Sequence, residues 1–332
     1  MKSIKNKYIF FIFRILKDLF KPTKWDIAEN LHEQQLKEYY FLFQEKALEN
    51  QKGGQKSIVF DANGIPMNPT YIDVKDKAFV YFPITIGQVG LAVFHTYLLT
   101  KSDRDRQRFM KFVDWFYEHA IKDERLGVRW MTDVALPQYK NPGPWQSGFV
   151  QGRGISSLLR GYQLTGRIEY AEMAEKALRP FTISVQEGGV TSFTEFGPFY
   201  EEYTAEVPTL VLNGMIFSLC GIYDFVRVFP ENKLAKKLFE EGIQTIIKIL
   251  PQFDLGYWSR YNLCDAEWYP SVDPATITYQ HLHVTQLSML YRLTNEDIFT
   301  EYAERFQKQI KFRNVLRMYF SKYSALKIMG RI

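Results

Sequence analysis

The 332-residue chain has only two cysteines, Cys220 and Cys264, with no CxxC pair between them. That excludes a disulfide framework and a thiolate zinc site. A reducing compartment fits, and the cytoplasm is the expected location. Cys220 sits in an apolar helical run and reads as a small core residue. Histidine is scarce as well. Of the five, only His281 and His283 are close in sequence, and a spacing of two is poor for helical metal ligation. No metal site and no required cofactor are expected, although a structural cation such as calcium at the hairpin region described below stays open. Long apolar runs are missing too. Residues 8–13 form an apolar stretch that ends at Arg14. It is too short to span a bilayer. No small-residue cleavage site follows, so a signal peptide is disfavoured.

Acid is scarce where base is dense. Residues 1–24 carry seven Lys or Arg against Asp18, and residues 312–332 carry five with no acid at all. The net charge of +5 therefore hides a mildly acidic body between two basic ends. A nucleic-acid groove would put the positive charge on the body, so nucleic acid is not an expected partner. The basic termini suit peripheral contact with an anionic membrane surface, such as an inner membrane. A tail helix packed on the domain is the competing reading.

What the chain does have is aromatic side chains, 16% of the total, and apolar ones, 46%. Those amounts support a full core and fit a sugar-binding groove as well. Residues 57–60, 71–74 and 78–82 alternate like short strands around the turn-rich 61–66, which predicts a β-hairpin or three-stranded meander. From Pro83 the pattern turns helical and comes in pairs: 84–100 with 104–121, 151–165 with 168–181, 208–229 with 232–250, and 281–293 with 296–311. Short joints such as Thr165-Gly166-Arg167 make each pair an antiparallel hairpin. First members are apolar and rich in small residues, as in Leu212-Asn213-Gly214-Met215. Second members carry a charged face, as in Lys233, Lys236, Lys237, Glu240 and Glu241. An apolar helix belongs inside and an amphipathic one outside. About four such hairpins make a mainly α, α/α barrel (toroid). The expected division is a basic amphipathic helical segment over 1–50, a β-hairpin region over 51–82, the barrel over 83–311 and a basic tail over 312–332.

Three long links, 122–150, 182–207 and 251–280, each lead into the start of an inner helix. Long ordered loops in a compact domain are usually functional. Gathered at one end, they would meet the positive ends of the inner-helix dipoles, where an anionic sugar polymer is welcome. The richest stretch is Glu201-Glu202-Tyr203, a carboxylate beside a phenol just ahead of a helix. Proton-transfer chemistry needs such a pair. A solvated acidic turn would have the same sequence. Tyr261, Tyr279, His281 and His283 lie in the last link and the helix after it, and Gln151-Gly152-Arg153-Gly154 opens the second inner helix.

Together these pieces resemble the D-glucuronyl C5-epimerase family, which converts glucuronate to iduronate within heparan-type polymers. The matching motifs are Phe82-Pro83-Ile84-Thr85-Ile86-Gly87-Gln88, Gln151-Gly152-Arg153-Gly154, Glu201-Glu202-Tyr203, Leu212-Asn213-Gly214, Tyr261-Asn262-Leu263 and the run from Tyr279 through Leu287. They span roughly residues 55–311. The resemblance implies an α/α barrel, a homodimer, and catalytic residues at Glu202, Tyr203, Tyr261 and Tyr279. It implies substrate contacts at Gln88, Gln151, Arg153, Glu201, Asn213, Arg260, His281 and His283. Two departures stand out. Animal members insert a β-barrel domain for which residues 92–110 leave no room, and the arginine they carry three residues after the Tyr261 equivalent is Cys264 here. Arg153 and Arg260 are the nearest replacements.

The expected function is therefore uronyl C5-epimerisation on an anionic, glucuronate-containing polysaccharide, as in bacterial capsule-type biosynthesis. A polysaccharide lyase or unsaturated uronyl hydrolase on a similar toroid is the rival enzyme reading. A non-catalytic glycan-binding protein is the rival outside enzymology.

Overall fold

A computed structural model describes residues 25–45, 48, 58–71 and 73–332, with isolated positions 9, 12, 13 and 16 before them. The membrane contact expected of segment 1–24 otherwise falls outside the described residues.

Four helical hairpins carry the fold. They are α1 (Pro83–Thr100) with α2 (Asp103–Glu118), α3 (Gly148–Thr165) with α4 (Ile168–Lys176), α5 (Leu212–Val228) with α6 (Lys233–Ile249), and α7 (Ile277–Thr294) with α8 (Asp297–Gln309). The first members pack in series, α1 on α3, α3 on α5 and α5 on α7, and each second member lies against its own partner. The protein is mainly α, an α/α barrel.

Sequence dictates which helix goes inside. Ser147 caps α3 by accepting a hydrogen bond from the Val150 N–H, and Gly166 ends it at φ 73°. Every residue from 148 to 161 in this helix is buried. Small residues permit that. A Cβ on Gly221 would lie 2.2 Å from the Gly152 Cα, so α3 and α5 touch backbone to backbone. By contrast α6 buries one stripe, Ala235, Leu238, Gly242, Ile243, Ile246 and Ile249. Its Lys233, Lys236, Lys237, Glu240 and Glu241 point to solvent.

Ahead of the barrel, β1 (Val59–Phe60), β2 (Pro66–Pro69) and β3 (Phe79–Val80) form an antiparallel sheet in that order. The strand expected at 71–74 is absent among its described residues, and the central strand falls on 66–69 instead. Asp61 explains the shift. Its Oδ1 accepts the N–H groups of Asn63 and Ile65 at 2.9 and 2.8 Å, and Gly64 takes φ 83°. The turn is thus finished by residue 65. Two further hairpins stiffen links that read as loops: β4 (Ile121–Asp123) with β5 (Gly127–Arg129), and β6 (Thr191–Thr194) with β7 (Gly197–Tyr200).

Residues 25–44 are irregular rather than helical, with one antiparallel bridge, Ile27 to Phe41. They are nonetheless packed, with Leu31, Leu36, Tyr39, Tyr40, Phe41 and Phe43 all buried. Arginines from the C-terminal parts of three inner helices hold the backbone. Arg160 donates to Lys37 O, Arg227 to Glu33 O and Arg292 to Glu29 O. Arg160 is itself paired with Asp224 at 2.6 Å, both side chains fully buried. The segment therefore crosses the end of the barrel opposite the N-termini of the inner helices. The basic stretch after 311 forms α9 (Phe312–Ile328), docked through Val315, Met318 and Ala325.

Candidate active site

The long links do meet at one end, and backbone hydrogen bonds stitch them together. Gly148 N donates to Glu201 O at 2.7 Å, and Thr204 N to Gln146 O at 3.2 Å. On the other side, Val211 bridges Asn262, and Leu263 N donates to Leu210 O at 3.3 Å. The turn at 201–204 is thus clamped between the entry to α3 and the last link.

Glu201 and Glu202 are both buried, which rules out a solvated acidic turn. Their environments differ. Glu201 is saturated with donors. Oε1 accepts from Ser192 Oγ at 2.6 Å and Thr209 N at 3.2 Å; Oε2 accepts from Thr209 Oγ1 at 2.7 Å and Leu210 N at 3.0 Å. Those bonds also hold Leu210 at φ 48°, a conformation that costs a non-glycine residue about 1–3 kcal/mol. Burial pushes the Glu201 carboxyl up to about 7 against the pull of these donors. Its visible work is to shape the turn.

Glu202 is left poised. Asn213 Nδ2 donates to its Oε2 at 3.0 Å, and the Tyr203 hydroxyl is within hydrogen-bonding reach. Burial lifts its carboxyl to about 7; the bonds from Tyr203 and Asn213 oppose the rise, and the neighbouring Glu201 adds to it. The carboxylate lies against the first turn of α5, where unpaired N–H groups favour negative charge. It fits only because residue 214 has no side chain. A Cβ on Gly214 would sit 2.3 Å from the Glu202 Cβ and 2.6 Å from Oε2. Gly214→Ala is therefore expected to displace the carboxylate and lower activity about 100-fold, the usual cost of an ångström-scale misplacement. Assay and thermal melt together check this; full activity in a folded variant would contradict the placement of Glu202.

Phenols surround this carboxylate. Tyr203 is in hydrogen-bonding reach of Tyr261 and of Tyr71. Tyr261 and Tyr279 meet edge to face with ring centroids 5.0 Å apart. Burial, followed by the charge of Glu202, holds the Tyr203 and Tyr261 hydroxyls well above the usual phenol range. They are neutral donors at rest. Tyr203 is wedged by Trp145 and Tyr139, at 5.2 and 5.6 Å between centroids. Glu202, Tyr203, Tyr261 and Tyr279 thus stand in one cluster. Asn213 joins them as the donor that orients Glu202.

Arg153, Gln151, His283 and Arg260 make their contacts outside this cluster. Arg153 is fully buried inside the barrel, its guanidinium caged by the rings of Tyr39, Phe217, Phe149 and Phe43 at 4.5–5.1 Å. Gln151 turns outward and donates to Val128 O and Ala177 O. His283 is buried with Nδ1 2.9 Å from Ser259 Oγ; burial pushes its imidazole down to about 3, so it stays neutral and supplies no cation. Arg260 donates to Ser271 O at 2.8 Å. Gln88 and His281 are half-buried on α1 and α7.

Sequence reasoning missed five contributors: Tyr71, Asn262, Tyr269, Asp273 and Lys322. Tyr71 reaches Tyr203 from the strand region. Asn262 donates to the Tyr139 and Tyr269 hydroxyls at 2.9 and 2.7 Å, and Tyr269 donates to Asp273 Oδ2 at 3.0 Å. Lys322 of α9 donates to Asp273 Oδ1 at 2.6 Å. Asn262 had a signal, since it follows Tyr261 directly. The others had none beyond being aromatic or charged.

A carboxyl titrating near neutrality among neutral phenols, at the N-terminal end of the inner helices, is equipment for moving a proton. Fold and family together define a carbohydrate-modifying enzyme on an α/α toroid. The chain belongs to the D-glucuronyl C5-epimerase family: residues 122–308, more than half its length, match the family model described as D-glucuronyl C5-epimerase C-terminus. An uncharacterised protein of Methanocaldococcus jannaschii is 25% identical over 269 residues, which cover 75% of this chain and 85% of that one. The D-glucuronyl C5-epimerase of Caenorhabditis elegans is 25% identical over 233 residues, 67% of this chain but 38% of the nematode protein. Among solved structures, a GH76 alpha-mannanase of Bacteroides thetaiotaomicron aligns with a TM-score of 0.43 at 11% identity, over 72% of this chain and 60% of that one.

Proposed function

We propose that the chain is a uronyl C5-epimerase that converts D-glucuronate to L-iduronate residues within a polysaccharide. The observation that carries this is the buried Glu202 carboxyl, lifted to about 7 and linked to phenols. The hydrogen at C5 of a uronate is α to a carboxylate. Its removal needs a base on one face, and return from the other face needs an acid. Ionised Glu202 takes the C5 proton and becomes a carboxylic acid. The electron pair left at C5 moves into the substrate carboxylate, giving an enediolate dianion. The Tyr279 hydroxyl delivers a proton to the opposite face of C5 and becomes a phenolate. Glu202, Tyr203 and Tyr261 form a chain of proton donors and acceptors leading toward Tyr279, along which the proton held by Glu202 can return. Atoms and charge balance without a cofactor.

A lyase shares the first step but then expels the 4-O-linked sugar. Incubation with heparosan, a glucuronate polymer, separates the two. Iduronate signals without ultraviolet absorbance from a 4,5-unsaturated sugar are expected. Unsaturated product would replace this reading with the lyase.

For location, α9 is the feature that speaks. Phe312, Leu316, Phe320, Tyr323 and Ile328 are exposed on it, beside Arg313 and Lys327, and it holds no acid. Among the described residues no helix is long and apolar enough to cross a membrane. An apolar stripe flanked by base suits the surface of an anionic bilayer. Phe312→Ser/Phe320→Ser should weaken binding to vesicles containing anionic lipid and leave zwitterionic vesicles unbound. Equal partitioning of variant and wild type, or burial of this face between two copies of the chain in solution, would refute the membrane contact.

A further inference from the structure

The reaction gathers negative charge, and the cluster that would host it supplies none of the opposite sign. A uronate arrives as an anion, proton removal makes it a dianion, and Glu202 and the tyrosines offer only carboxylate and phenol. Preorganised donors or a cation close by stabilise such charge. Cys264, where the resembling family has arginine, is buried, its thiol pushed up to about 11 by burial, and it cannot serve. Arg153 is enclosed by four rings, and Arg260 is turned to a backbone carbonyl. Arg331 stands on the Tyr71 side, 3.4 Å from Asp73.

Lys322 is differently placed. Its ammonium stands 5.5 Å from the Tyr261 ring centroid, and Tyr261 is the ring that meets Tyr279. Its side chain is only 12% exposed. The backbone on which it rides is fixed. Val315, Met318 and Ala325 are buried beneath α9, Arg317 lies over the Tyr257 ring at 3.8 Å, and Ser321 Oγ is 3.1 Å from the Tyr257 hydroxyl. The partner is fixed as well. Asp273 takes Lys322 on one oxygen and Tyr269 on the other, and its carbonyl accepts the Tyr261 N–H at 2.8 Å. One aspartate therefore aims the lysine and positions the catalytic tyrosine's backbone. A lysine ammonium carries three donors on a flexible stem, so it can keep Asp273 and still turn to an incoming carboxylate.

We propose that Lys322 is the substrate-binding cation of this site, meeting the uronate carboxylate and the charge that builds on it when C5 loses its proton. This rests on the epimerase reading. It assigns to the C-terminal helix a part of the site that lies beyond the matched family region, which ends at residue 308.

Three variants test it. Lys322→Met keeps the stem and removes the charge, Lys322→Arg keeps the charge, and Lys322→Met/Asp273→Asn removes the charge without leaving Asp273 unpaired. Lys322→Met should lower the C5 exchange rate about 10²–10³-fold, the range seen when one charge-stabilising donor is lost. Lys322→Arg should restore much of it. The double variant should recover any lost thermal stability and stay slow. A second readout needs no turnover. Wild-type protein should bind a glucuronate oligosaccharide more tightly than its carboxyl-reduced analogue, and Lys322→Met should lose that preference. Near-wild-type exchange in Lys322→Met, rescue of activity in the double variant, or an unchanged carboxylate preference would each overturn the assignment. If the wild type exchanges no C5 proton but shows the lysine-dependent preference, the epimerase reading falls and the cation site stands.

Discussion

Glu202→Gln should abolish C5 proton abstraction from the face that Glu202 serves, by about 10³-fold or more, while the protein stays folded. Glutamine keeps the shape and the contact to Asn213 but cannot accept the proton. A positioned base is typically worth about 10²–10⁴-fold in rate. The pH dependence carries the same signature. Glu202 must be ionised to act, and burial raises its carboxyl to about 7. Turnover should therefore rise with pH, about tenfold per unit below 7, and level off above it. The raised carboxyls of Glu201 and Glu202 also make the folded state bind protons that the unfolded chain, with a glutamate pKa of about 4.3, has released. Their contribution to stability is full below the unfolded value and is lost as pH rises through about 7. Activity and stability thus move in opposite directions across this window. A pH profile with no limb near neutrality, or a Gln variant that inverts C5 from both starting sugars, would remove Glu202 from this role.

Tyr279→Phe should separate inversion from exchange. The change removes only a hydroxyl and leaves the edge-to-face packing on Tyr261 in place. Net inversion is expected to fall about 10²–10⁴-fold, because the proton can no longer be delivered to the second face. Exchange with retained configuration should survive, since Glu202 can still remove and return a proton on its own side. Glu202→Gln should be complementary, failing from the other starting sugar. Single-turnover C5 exchange on glucuronate and iduronate polymers reads both variants. Near-wild-type inversion by both, with the fold intact, would refute the two-base arrangement.

Much of this architecture can be read from local patterns, because local chemistry determines it. The inner helices announce themselves through small residues such as Gly152 and Gly221, which backbone contact requires. Their ends are marked by Ser147 and Gly166. The outer helices show their stripe, and the grouping of Glu202 with the tyrosines follows from three links that end at inner helices. What stays hidden depends on partners distant in the chain. Segment 25–44 has no regular period because arginines far along the sequence, Arg160, Arg227 and Arg292, satisfy its carbonyls. Arg153 looks like a ligand for an anionic sugar until Tyr39, Phe43, Phe149 and Phe217 close around it. The strand at 66–69 begins and ends with proline, which argues against a central strand in any local reading. Lys322 is one base among several on an acid-free helix, and its contacts with Asp273 and the Tyr261 ring, both distant in the chain, single it out.

The central claim is that this site moves a proton on and off C5 of a polymer-bound uronate. Incubation of the protein with heparosan in D2O, followed by NMR of the polymer, tests it most directly. The account predicts loss of the C5 proton signal by deuterium incorporation together with new iduronate resonances, both absent with Glu202→Gln. A polymer that keeps its C5 protons, with glucuronate as its sole uronate, would contradict it.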